Sequence, residues 1–173
     1  AIELDSRCAD AFFFRGIARD EKNDLLGAVA DLSRAIELEP ELSDPYMRRA
    51  FALERLGELD AAIADCTRVL ELDPVRHLAI EVRGRVREKN GDLDGAIADF
   101  TSAIEIDPAR AFSLVARGHA RLKKGDLAGA TADWTGAIEL DPELAIAYRD
   151  RGAARRKSGD AAGAILDLEK TVG

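Results

Sequence analysis

At 173 residues, with 47% hydrophobic and 34% charged side chains, the chain is long enough to bury a core and too apolar to remain disordered. A net charge of −8 argues against a general nucleic-acid-binding or acidic-membrane surface. No apolar run approaches the roughly 20 residues that span a bilayer, so membrane insertion is not expected.

The chain opens on AIELDSRC, and that phrase returns as AIELEP at 35–40, VLELDP at 69–74, AIEIDP at 103–108 and AIELDP at 137–142. Residues 1–8 therefore read as the end of a helix whose first half lies before Ala1. Pro40, Pro74, Pro108 and Pro142 stand 34 residues apart. So do Gly16, Ala50, Gly84, Gly118 and Gly152, and so do Ala28, Ala62, Ala96, Ala130 and Ala164. Three columns with one period and no insertion make an internal repeat, with units 9–42, 43–76, 77–110, 111–144 and 145–173.

In the first unit the hydrophobic spacing predicts helix A over 9–22 and helix B over 25–38. Asn23, Gly57, Gly91, Gly125 and Gly159 supply the left-handed residue that ends each helix A, and the acid after each starts helix B. Proline then closes helix B. The glycine and alanine columns let the paired helices approach closely. The apolar column Ile36, Leu70, Ile104, Ile138 and Val172 is expected to fill the seams between units. Gly173 falls inside the fifth helix B, so the chain reads as one array cut from a longer run of repeats.

These spacings resemble the tetratricopeptide repeat, whose pattern W-x2-L-G-x2-Y…A…F…P extends over 34 residues. In the fourth unit the matching residues are Leu114, Arg117, Gly118, Arg121, Ala130, Trp134 and Pro142. The resemblance implies an all-α fold, a right-handed superhelical solenoid of antiparallel helix pairs. Departures recur in step. The leucine before glycine is Arg15, Arg49, Arg83, Arg117 and Arg151; the tyrosine is Arg19, Leu53, Arg87, Arg121 and Arg155. Helix B carries Asp31, Asp65, Asp99, Asp133 and Asp167, one per unit. Structural pairing of arginine with aspartate is expected, rather than an anion-binding row.

No catalytic constellation is present, and an enzyme is not expected. His77 and His119 sit in different units without a nucleophile at matching spacing. The GDL turns join two helices, whereas a phosphate loop follows a strand. Cys8 and Cys66 form no CxxC motif, so neither a disulfide framework nor a metal site is expected, and no cofactor is implied. Reduced thiols suit a cytoplasmic location.

The resemblance places groove-facing side chains at repeat positions 2, 5, 6, 9, 12 and 13 of helix A. The residues expected to bind a peptide are Phe13, Phe14, Ile17, Met47, Phe51, Val82 and Arg85, followed by Phe112, Val115, His119, Arg149 and Arg156. Phe12, Phe13 and Phe14 point about 100° apart, so one enters the core and at least one faces outward. The family's carboxylate clamp is absent, because its places hold Phe13, Ile17, Arg48, Leu78 and Val82. The expected function is a non-catalytic scaffold whose groove takes a protein or peptide segment of acidic and hydrophobic character. The alternatives are a spacer, a self-associating module forming a homo-oligomer, or the regulatory array of a larger signalling protein.

Overall fold

The computed structural model describes residues 8–171. Within them the chain forms ten α-helices and no strand, so the all-α class read from the period is the one observed. The helices are α1 (Ala9–Glu21), α2 (Leu25–Leu38), α3 (Ser43–Leu56), α4 (Leu59–Leu72) and α5 (His77–Asn90). They continue with α6 (Leu93–Ile106), α7 (Ala111–Lys124), α8 (Leu127–Leu140), α9 (Ala145–Ser158) and α10 (Ala161–Glu169). The reading of residues 1–7 as a preceding helix, and of Val172 as a seam residue, lies outside the described residues.

The turn chemistry does what the sequence asks of it. Asn23, Gly57, Gly91, Gly125 and Gly159 all take positive φ, between 63° and 91°, a region open to glycine and tolerated by asparagine. Asp24, Asp92, Asp126 and Asp160 each accept the backbone N–H three residues on, capping the next helix. Glu58 occupies the same place but makes no such bond.

The chain divides into two compact units, 1–90 and 91–173, at the turn inside the third repeat. In the first, α1 to α5 pack each on the next; in the second, α6 to α10 do the same. The first core gathers Met47, Ala50, Leu53, Cys66, Val69 and Val82. The second gathers Val115, Trp134, Ala137, Leu144 and Ala147, beside a smaller cluster of Ala96, Phe100 and Ala120.

Close approach is set by a complementarity between two columns 16 residues apart. A Cβ on Gly118 would lie 2.7 Å from the indole nitrogen of Trp134, and one on Gly16 would lie 2.8 Å from Cγ of Leu32. Where the small position is Ala50 instead, its counterpart is Cys66, and both are fully buried in one core. A bulky helix B residue demands glycine on helix A; a small one releases it.

In the first, second, fourth and fifth repeats the arginine–aspartate pairing falls within the repeat's own helix pair. Arg15–Asp31, Arg49–Asp65, Arg117–Asp133 and Arg151–Asp167 close at 2.5 to 2.7 Å, and these aspartates are almost wholly buried. Arg19, Arg121 and Arg155 add a second guanidinium to the same carboxylates at 3.0, 2.7 and 2.9 Å. Each also donates to a helix B carbonyl, that of Gly27, Gly129 or Gly163. Arginine thus takes over the family tyrosine's place between the helices, tying them by charge-assisted hydrogen bonds.

Candidate functional site

The first row of groove residues lies on α1, α3 and α5. Phe13 is half-buried and meets Phe14 edge to face, ring centroids 5.3 Å apart; Phe14 itself is 64% exposed. Phe12 carries the Arg15 guanidinium over its ring at 5.4 Å. Consecutive aromatics on one helix thus divide between packing and solvent. Ile17 and Phe51 are half-buried.

Met47 and Val82 are not available to a ligand. They are 3% and 1% exposed, inside the first core. In the second unit Val115 is likewise 3% exposed and belongs to the core around Trp134. At these positions an apolar side chain turns into the seam between neighbouring helices, so helix-face position alone overestimates the groove.

The basic groove residues are largely spoken for. Arg85 grips Glu54 through Nε at 3.0 Å and Nη2 at 2.6 Å, and Lys89 reaches the same carboxylate at 2.5 Å. Burial of Glu54 pushes its pKa up, but the hydrogen bonds from Arg85 and Lys89 outweigh it, leaving the pKa below the usual carboxylate value. The bond to Glu54 raises the Arg85 pKa against the lowering effect of burial. Arg55 pairs in the same sense with Asp20 and donates to Asn23 Oδ1 at 2.6 Å. An acid at position 12 therefore binds a base at position 13 of the next unit, 35 residues on.

In the second unit Phe112 is 59% exposed. His119 is half-buried, with Nε2 2.5 Å from Asp150 Oδ2 on α9 and its ring 5.9 Å from that of Trp134. Arg149 donates from Nε to the other oxygen of Asp150 at 2.9 Å, a contact that raises its pKa. Arg156 is exposed and itself stands in the acid column, while Lys157, 35 residues after Leu122, meets a leucine there rather than a carboxylate.

One column escaped the sequence reading. Arg49, Arg83, Arg117 and Arg151 each donate backward to a hydroxyl on the preceding unit's helix B: Ser33, Thr67, Thr101 and Thr135, at 2.8 to 3.3 Å. The recurrence of Ser or Thr every 34 residues carried the signal. Arg49, Arg117 and Arg151 hold their own helix pair with one part of the guanidinium and the previous pair with another.

Among the described residues no cluster of His, Cys, Asp and Glu is placed to hold a metal ion, and no helix is long and apolar enough to cross a membrane.

Helix pairs α1–α2 and α3–α4 in one unit and α7–α8 and α9–α10 in the other, each tied by side chains 16 residues apart, define a helix-pair repeat protein. The family model described as tetratricopeptide repeat matches residues 46–111 and 115–172, and the chain belongs to that family. The fold is generally a scaffold for protein–protein interaction. MamA from Desulfovibrio magneticus RS-1 superposes with a TM-score of 0.87 at 21% identity, covering 94% of this chain and 92% of that one. A further MamA structure gives 0.86 at 18%, covering 95% and 90%. YrrB, titled a TPR protein with an unusual peptide-binding site, gives 0.79 at 19%, covering 99% and 88%. At these identities the likeness concerns the fold. Curated proteins offer no match to the sequence.

Proposed function

We propose that the chain is a non-catalytic interaction module that binds an extended protein or peptide segment along its A helices. The observation that carries this reading is the pair of exposed aromatic side chains, Phe14 at 64% and Phe112 at 59%, one in each compact unit. Large apolar side chains left in water on a helix face favour a macromolecular partner. The neighbour titled for a peptide-binding site is consistent with it. Because Arg85 and Arg149 already serve Glu54 and Asp150, an acidic residue of the partner has Arg156 as its best remaining contact.

Fluorescence anisotropy against a panel of labelled hydrophobic peptides tests the assignment. Phe14→Ser and Phe112→Ser are expected each to weaken the peptides that bind by about 1–3 kcal/mol, with helix content unchanged. Affinities that ignore both substitutions would remove the A-helix face as the binding surface.

Self-association has a specific observation in its favour: Ile165, Leu166 and Leu168 on α10 are 59%, 64% and 40% exposed. A concentration-dependent dimer that Leu166→Lys dissolves, with Phe14→Ser having no effect, would identify this second reading as the operative one.

A further inference from the structure

A cavity of 380 Å³ opens at the start of α1. Its lining combines apolar Ala9, Phe13 and Pro45 with three acidic residues, Asp10, Glu41 and Asp44. Leu42 borders it, 41% exposed. The internal repeat explains what this place is for. One period after Leu42 stands Arg76, whose guanidinium donates to Ser43 Oγ at 2.7 Å and to Asp44 Oδ1 at 2.6 Å. Ser43 and Asp44 are the period-equivalents of Ala9 and Asp10. The seam that follows is therefore closed by an arginine of the chain itself. At the first seam that arginine is replaced by a neutral, shorter side chain, and the space is open.

Leucine in this column is not bound to leave a gap. Leu144, one period after Arg110 in the same column, is 8% exposed and packed into its core. Leu42 is not so covered, and Asp10 has no hydrogen-bond or ion-pair partner among the described residues. Asp44 is held from its other side by Arg76, and Glu41 by Arg68 at 3.0 Å. Among the described residues Asp10 is thus the carboxylate at the opening without a cation on it, in a chain whose net charge is −8.

We propose that this cavity receives an arginine side chain from the partner polypeptide, its guanidinium on Asp10 and its alkyl stem over Phe13 and Leu42. The planar fork suits a carboxylate, and the stem suits the apolar lining residues. The proposal rests on the reading that this chain binds an extended segment, and gives that segment a basic residue at the α1 end.

The test is a titration of the 15N-labelled chain with acetyl-Leu-Arg-Leu-amide and with its citrulline counterpart, which keeps the shape and loses the charge. The arginine peptide is expected to move the amide resonances of Asp10, Phe13 and Ser43 and to bind at least about fivefold tighter than citrulline. Asp10→Asn should reduce arginine to the citrulline level. Leu42→Arg, which reproduces the arrangement of the next seam, should abolish the response. Both positions are exposed, so circular dichroism is expected to stay unchanged. Equal affinity for the two peptides, no shifts at these residues, or a response that survives both substitutions overturns the proposal. If Arg7→Ala raises the affinity several-fold, the occupant is the chain's own Arg7 and the partner assignment falls. Loss of the arginine preference while Phe14-dependent binding persists would sink the cavity and spare the interaction module; the opposite pattern would do the reverse.

Discussion

Replacing Arg49 by leucine should destabilise the chain more than replacing Arg117, although both occupy the same column. Asp65 is 6% exposed and, among the described residues, is held by Arg49 alone, through Nε at 2.8 Å and Nη2 at 2.7 Å, because Leu53 stands where other units carry a second arginine. Asp133 is as deeply buried but keeps Arg121 at 2.7 Å when Arg117 is gone. Stranding a buried charge costs about 3–5 kcal/mol; Arg49 is 22% exposed, so water relieves part of this and about 2–4 is expected. Arg117→Leu loses hydrogen bonds without orphaning the carboxylate, about 1–2 kcal/mol. Urea unfolding followed by far-UV circular dichroism gives the two losses. Since repeats unfold with near-neighbour cooperativity, amide exchange should localise them to α4 and α8 respectively. Leu53→Arg, added to Arg49→Leu, should recover part of the loss. Equal losses, or a larger one for Arg117→Leu, would refute the two-arginine account.

Three further outcomes follow from the packing and the titrating groups. Gly118→Ala forces a methyl group against the buried indole of Trp134 and should destabilise by about 1–3 kcal/mol, with a shift in the emission of the chain's one tryptophan. The Glu54 pKa is lowered in the fold, so the unfolded chain takes up the proton first as pH falls; its stabilisation is present above about pH 4.3 and lost as pH drops through the lower folded value. Urea midpoints measured from neutral to acid pH should therefore fall less steeply in Glu54→Gln. Burial pushes the Cys66 thiol up to about 12, so iodoacetamide should modify Cys8 in the native chain and Cys66 only after denaturant is added.

The pairing of arginine with aspartate was legible because an aspartate recurs in step with every arginine on one period. The hydroxyl column was present in the same sequence, yet only the backward reach of Arg49 or Arg117 gives Ser33 and Thr101 their role. The list of groove residues divided unevenly. Phe14 and Phe112 lie open, whereas Met47, Val82 and Val115 fill the cores.

The sequence by itself determined the period, the helix boundaries, the left-handed turns and the matching of arginine with aspartate, though not whether the partner stands in the same unit or the next. All of these are set by contacts within a turn or within one helix pair, and short-range stereochemistry suffices to read them. The tertiary structure alone decided which helix-face residues meet solvent, which cations are already neutralised, and where a cavity remains. Those outcomes depend on residues about one repeat away, such as Glu54 beneath Arg85 or Leu42 in place of an arginine. A helical period fixes the direction of a side chain; what stands in that direction belongs to the neighbouring pair.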